Sequence, residues 1–281
     1  MKLIIESGST KTCFRLINGY EIILFSDSEG INPIFKPKNE IIDQLKSLLN
    51  KILTANDKLE IYFYGAGCSL IENQNIVKDS ILQVFPRSNV SVESDIVASA
   101  YACLGNEVGI AAILGTGANI CEFDGSKVTL TRSGIGYILG DEGSGAHLGK
   151  TLIQDYLNNE IPSLQRELFD EEFNLSTKDI INLVYKSSDV NLFFAGFSKF
   201  IYKNINNNYF YSLAKKCLTS FFEMHIEKMD NYENKKIGIV GSVAFYYQDI
   251  IRDIAKEKGI SIFRIIEKPI DALVEFHLRS S

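Results

Sequence analysis

Two short stretches combine glycine with hydroxyl-bearing residues in an order that suits phosphate: Glu6-Ser7-Gly8-Ser9-Thr10-Lys11-Thr12 and Leu114-Gly115-Thr116-Gly117-Ala118-Asn119. A glycine turn lets backbone N–H donors approach phosphate oxygens closely, and neighbouring hydroxyl and ammonium groups add charge-assisted partners. Gly8, Ser9, Thr10 and Lys11 are the candidates in the first turn, and Gly115, Thr116 and Gly117 in the second. Either turn alone reads equally well as a tight hairpin that binds nothing. Their recurrence at matching positions favours phosphate. A third turn, Gly241-Ser242-Val243-Ala244, joins an apolar strand to a helix, where amides can lie against a nucleotide.

Three carboxylates stand beside these turns. Glu6, at the end of the first strand, is the candidate for Mg²⁺, which is held by one or two carboxylates with waters completing its shell. Asp95 follows a short strand and precedes an apolar helix, so it reads either as a base that reaches a substrate or as a helix N-cap. Asp141 lies in the glycine-crowded region between Gly105 and Gly149, as a binding group or as a turn or cap carboxylate. The run Ser144-Gly145-Ala146-His147-Leu148-Gly149-Lys150-Thr151 approaches the P-loop pattern but lacks its first glycine and the buried strand before it. It reads better as the start of a helix capped by Asp141 or Ser144. His147, His225 and His277 have no metal-ligand spacing and read as structural.

These groups need a scaffold, and the hydrophobic pattern supplies one. Strands are expected at 2–5, 13–17 and 20–25, the last two joined through Asn18-Gly19, followed by a helix behind Asn39 with Ile41, Ile42, Leu45, Leu48, Leu49, Ile52 and Leu53 on one stripe. A strand at 59–64, a helix within 71–85, a strand at 90–92 and a helix at 96–104 complete a βββαβαβα order. From Val108 the order restarts, with strands at 108–114, 120–123 and 128–130. A helical stretch of about 145–228 intervenes before strand 236–240, helix 244–258, strand 260–266 and helix 269–279. The aromatic residues Phe193, Phe194, Phe197, Phe200, Phe221 and Phe222 recur at helical spacing and read as core. The expectation is a duplicated α/β protein with lobes 1–94 and 95–281, the second carrying a helical insertion, built around a nucleotide cleft.

Composition narrows the class. The 281 residues suit two domains, and 46% hydrophobic with 23% charged residues exclude disordered and fibrous chains. A net charge of −6 with no long basic run disfavours nucleic acid and anionic membranes as partners. No apolar run approaches the roughly 18 residues of a membrane helix, and none resembles a signal peptide, so a cytoplasmic protein is expected. Five dispersed cysteines without a C-x-x-C read as buried thiols.

Taken in order, residues 6–12, Glu93-Ser94-Asp95, 114–119, 134–145 and 241–244 resemble the motif set of the N-acetylglucosamine kinase and BadF/BadG/BcrA/BcrD ATPase family, in the actin, Hsp70 and sugar kinase superfamily. The linking segments Tyr64-Gly65-Ala66-Gly67-Cys68, Ser28-Glu29-Gly30-Ile31-Asn32-Pro33 and Pro269-Ile270-Asp271-Ala272-Leu273 extend the likeness over nearly the whole chain. The resemblance implies duplicated ribonuclease H-like domains of the actin-like ATPase kind, each a mixed five-stranded sheet flanked by helices. It implies an ATP- and Mg²⁺-dependent kinase acting on an amino sugar, most simply N-acetylglucosamine, with Asp95 as general base. ATP would be held by the two phosphate turns, by Gly241 and Ser242, and by Ala195. The sugar would be lined by Asn32, Ala118, Asn119, Gly134, Ile135, Gly136 and Asp141. The chain departs from the family pattern at Glu6, often Asp, at Cys13, commonly acidic, at Ala118, where a serine would contact sugar, and at Ile135, where some relatives carry Trp. A BadF-type ATPase activating an electron-transfer enzyme and a non-catalytic sugar sensor are the alternatives, and a homodimer stays open.

Overall fold

The computed structural model describes residues 1–279 except Ser9, Lys51 and Ser188. By packing the chain divides into two units, Met1–Asn106 together with Lys268–Ser281, and Glu107–Glu267.

The first unit is built on strands β1 (Lys2–Ser7), β2 (Lys11–Asn18), β3 (Glu21–Glu29), β4 (Glu60–Gly65) and β5 (Asn89–Ser94) in the order β3-β2-β1-β4-β5. β1, β2 and β3 are antiparallel, and β4 and β5 extend the sheet in parallel with β1. The β2–β3 hairpin closes through Gly19 at φ 61, the conformation that an Asn-Gly turn favours. Its helices include α1 (Lys38–Leu49), α2 (Ile71–Val84) and α3 (Asp95–Leu104). α1 buries Ile41, Ile42, Leu45 and Leu49 of the expected stripe, each side chain contributing about 1.5–3 kcal/mol, but it ends at Leu49, so Ile52, which is exposed, and the buried Leu53 lie beyond it. Its N-cap position is Pro37 in extended geometry without a side-chain cap, so Asn39 lies inside the first turn and is not the cap.

The second unit repeats the plan. Strands β6 (Val108–Leu114), β7 (Ala118–Asp124), β8 (Val128–Ser133), β9 (Lys236–Val240) and β10 (Ile262–Ile266) form a sheet in the order β10-β9-β6-β7-β8, with the same antiparallel and parallel pairings. Helices α4 (Gly145–Leu157), α5 (Ser163–Phe173), α6 (Thr177–Lys186), α7 (Val190–Lys203) and α8 (Asn208–Met224) fill the insertion. Phe194, Phe197, Phe200, Phe221 and Phe222 are buried in its core, as their helical spacing implied, Phe193 packs against it partly buried, and Phe169 and Phe210, which the spacing did not single out, are buried with them. The helix expected over 244–258 is two helices, α9 (Ser242–Tyr246) and α10 (Gln248–Glu257). Between them stands Tyr247, buried and anchored to α7 by its hydroxyl, which donates to the Ser198 carbonyl at 2.7 Å.

The last helix, α11 (Ile270–Arg279), belongs to the first unit, and so does α3. The repeat alone suggests lobes meeting near Ser94. Side-chain contacts explain the difference: Tyr101 of α3 stacks on Phe276 of α11 at 4.3 Å, Arg15 pairs with Asp271 at 2.9 Å, and the Tyr64 hydroxyl meets His277 Nε2 at 2.8 Å. All five cysteines are buried. Among the described residues, no helix is long and apolar enough to cross a membrane.

Candidate active site

In the first unit the strand registers gather the candidates at one end of the sheet. Ser7 pairs with Thr12 across the hairpin and with Gly65 on β4, and Gly65 pairs with Ser94 on β5. Glu6, Gly8, the Gly65-Ala66-Gly67 corner and Asp95 therefore lie at or beside the carboxyl ends of the parallel strands, where open α/β sheets bind ligands. The turn is closed by the Gly8 N–H on the Lys11 carbonyl at 2.9 Å, with Thr10 and Lys11 exposed. Ser9 lies outside the described residues. The buried Ser7 and Thr12 hydroxyls sit 2.7 Å apart, and the Ile31 N–H donates to both, at 2.7 and 3.1 Å. That cluster ties the turn to the segment carrying Asn32. Asn32 is buried, its Oδ1 accepting the Ile34 N–H at 3.0 Å, and Gly67 is at φ 81, where a Cβ would overlap that same Oδ1.

Electrostatics single out the same end. Burial lifts the Glu6 carboxyl to about 7, with the charges of Asp95 and Asp27 adding to the rise and those of Lys268 and Lys11 opposing it. Asp95 is raised to about 6 by burial, partly offset by its own backbone N–H and that of Ile96. Asp95 is the first residue of α3, and the N-cap position is Ser94. Lys11 does not stand free: its ammonium pairs with Asp27 at 2.6 Å. Burial pushes the Cys13 thiol up to about 12, and its hydrogen bond to Asp27 adds to the rise. Asp27 and Lys268 were missed in the sequence. They enter only through β-register and through the return of α11 to the first unit.

The second unit gathers its own set. Leu114 pairs with Ala118, Ile113 with Asn119 and Val240, and Asn119 with Ser133. The turn at 115–117, Asn119, Gly134 and Gly241 therefore share one end of that sheet. Gly241 is at φ 124, and a Cβ there would collide with the Leu114 carbonyl, so glycine is required behind the second turn. The Asp141 Oδ1 accepts the Ala118 N–H at 3.0 Å, so Ala118 contributes its backbone to the site while its side chain is buried. Burial raises the Asp141 carboxyl, and the Ala118 N–H opposes the rise. The Asn119 side chain lies against Gly134, and Ile135 and Gly136 are exposed. Ala195 stands beside Gly145, itself next to the Gly115 carbonyl.

The start of α4 is occupied by protein groups. Gly145 and Ala146 donate to the Gly115 and Thr116 carbonyls at 2.8 and 3.1 Å, and Ser144 caps the helix by accepting the His147 N–H at 3.2 Å. Asp141 is not the cap. Gly149 lies within the helix where the Phe194 backbone presses against it, and Lys150 donates to the Tyr137 carbonyl at 3.0 Å. The P-loop-like run is thus a helix-packing segment. No group of three or more metal-ligating side chains occurs among the described residues.

No family model matches the chain. It is 28% identical over 197 residues to the N-acetylmuramic acid/N-acetylglucosamine kinase of Clostridium acetobutylicum; the match covers 65% of this chain and 63% of that protein, under two thirds of its length. A solved structure from Chromobacterium violaceum, provisionally named an N-acetylglucosamine kinase, shares the fold at TM-score 0.74 and 15% identity, over 99% of this chain and 98% of that one. A second from Porphyromonas gingivalis, with the same provisional name, is 33% identical with a TM-score of 0.93 over 99% of both chains. Identity at that level over the full length, on two sheets of matching topology with their glycine turns at the same end, shows that the chain belongs to the N-acetylglucosamine kinase family of actin-like sugar kinases.

Proposed function

We propose that the protein is an ATP-dependent kinase that transfers the γ-phosphoryl group to the primary hydroxyl of an amino sugar, N-acetylglucosamine giving its 6-phosphate. The observation that carries this reading is the Glu6 and Asp95 pair beside the first glycine turn, two carboxyls both raised toward neutrality. A carboxylate near 6 is charged at neutral pH yet basic enough to take a proton as it is released, which is what a general base needs. In the proposed step the sugar hydroxyl oxygen bonds to the γ-phosphorus, the bond to the β–γ bridging oxygen breaks, and the hydroxyl proton passes to Asp95. ADP carries away the electron pair of the broken bond.

The remaining candidates position the reactants, and positioning with charge stabilisation dominates phosphoryl transfer. The turns at 8–11 and 115–117 offer amides to the phosphates, Gly241, Ser242 and Ala195 line the nucleotide, and Lys11 exchanges Asp27 for a phosphate oxygen. Asp141, Asn119, Gly134, Ile135, Gly136 and Asn32 hold the sugar, with the Ala118 N–H fixing Asp141. The partly buried negative charge of Glu6 fits a divalent cation, and Mg²⁺ held there with the nucleotide would supply countercharge to the phosphates. ATP as co-substrate implies a cytoplasmic reaction. Coupled ADP release measured across N-acetylglucosamine, N-acetylmannosamine, glucosamine, glucose and N-acetylmuramic acid tests the reading. Stimulation by an amino sugar supports it, and a rate equal to the sugar-free control for all five overturns it.

A further inference from the structure

We propose that His225 is a positioning residue for Asp141, acting through Glu142; the inference rests on the reading of Asp141 as a sugar-binding group. Asp141 has φ 63, a left-handed conformation that a non-glycine residue holds only when its surroundings enforce it. The enforcing contacts can be traced one by one. On one side, the Asp141 carboxylate takes the Ala118 N–H at 3.0 Å, and the Asp141 carbonyl takes the Ser144 N–H at 3.0 Å. On the other side, the two residues that follow are each gripped by a histidine.

His147 Nδ1 accepts the Gly143 N–H at 3.0 Å, which requires that nitrogen to be unprotonated; burial lowers the ring's basicity and keeps it so. His225 Nε2 lies 2.8 Å from the Glu142 Oε2, a bond between side chains 83 residues apart in the chain. His225 is 7% exposed and ends α8, and Phe221, one turn earlier on that helix, packs so closely on Gly143 that a Cβ would stand 2.6 Å from its own Cβ. The end of α8 thus both roofs Gly143 and clamps Glu142. Lys150, from α4, also faces this cluster, and its charge with that of His225 draws the Asp141 carboxyl down while burial and Glu142 push it up. Without the His225 contact, Glu142 and its left-handed neighbour lose the anchor that comes from the helical insertion. The Ala118 bond alone then sets the direction of the Asp141 carboxylate.

The test is steady-state kinetics with ATP and N-acetylglucosamine on His225→Ala, His225→Gln, Glu142→Ala, the double variant of the two alanine changes, and Asp141→Ala. Misplacement of a binding group by an ångström costs up to about 10²-fold. His225→Ala and Glu142→Ala are therefore expected to raise the sugar KM about tenfold, with kcat and the ATP KM within about threefold. His225→Gln, which keeps an N–H for Glu142, should recover most of the loss, and the double variant should match either single one, as coupled residues do. A purely structural role would lower the melting temperature without that KM split or that rescue. If Asp141→Ala raises the sugar KM while His225→Ala and Glu142→Ala leave it within about twofold, the positioning role is overturned and the reading of Asp141 stands. An unchanged sugar KM in Asp141→Ala instead overturns that reading, and the inference with it. If His225→Ala does not fold, the sugar KM of Glu142→Ala and of His225→Gln decides between these outcomes.

Discussion

The charge of Asp95 adds to burial in lifting the Glu6 carboxyl to about 7, so the first unit holds two carboxyls that keep their protons to higher pH than ordinary ones. Both folded values lie above the ordinary ones, so the folded chain binds more protons than the unfolded chain between about pH 4 and 7, and stability falls as pH rises through that window. Glu6→Gln removes one titrating charge. The variant should melt close to the wild type near pH 4 and progressively above it as the pH approaches 8. A constant melting-temperature difference across that range would show that Glu6 is not held near neutrality. Added Mg²⁺ and nucleotide should narrow the difference at the alkaline end by stabilising the wild type.

Asp95→Asn should lower kcat by at least about a hundredfold, since general-base contributions run to ~10²–10⁴. ATP affinity should be nearly unchanged, since the proposed reading gives the nucleotide to other turns. The amide oxygen can still accept the N–H groups at the start of α3, so the melting temperature should move little. With the wild type, kcat/KM should rise with pH through about 6 and level off as Asp95 loses its proton. A near-normal kcat in Asp95→Asn would remove it as the base and turn attention to Asp141.

Gly67→Ala tests how the first unit holds Asn32. The added methyl would overlap the Asn32 Oδ1, at a backbone φ of 81 that already disfavours alanine. The sugar KM should rise by at least about tenfold, more than the ATP KM. Equal loss for both substrates would show that the corner at 65–67 serves the whole unit and not Asn32.

Lys150→Met separates a P-loop from a packing helix. A P-loop lysine reaches the β- and γ-phosphates, whereas here the ammonium donates to the Tyr137 carbonyl. The ATP Kd, measured by calorimetry, should stay within about twofold. Gly149→Ala should instead unfold the protein at lower temperature, because a methyl there meets the Phe194 backbone, which cannot yield like a flexible side chain.

The sequence by itself determined the two βββαβαβα halves, because period-two and helical apolar spacing encode which face of each element is buried, and that pattern is local. It also marked the three glycine turns, although only Gly241, left-handed and pressed on the Leu114 carbonyl, demands glycine by its backbone. It did not determine where the units divide. The return of α11 to the first sheet depends on Tyr101 meeting Phe276 and Tyr64 meeting His277, the latter pair separated by 213 residues. Nor did it show that Lys11 is held by Asp27, that the charge of Lys268 acts on Glu6, or that His225 grips Glu142. Each of these joins polar side chains that are not neighbours in the sequence. Residue type supplies the chemistry of such a pair, but only the register of the strands and the packing of the helices brings its atoms within reach.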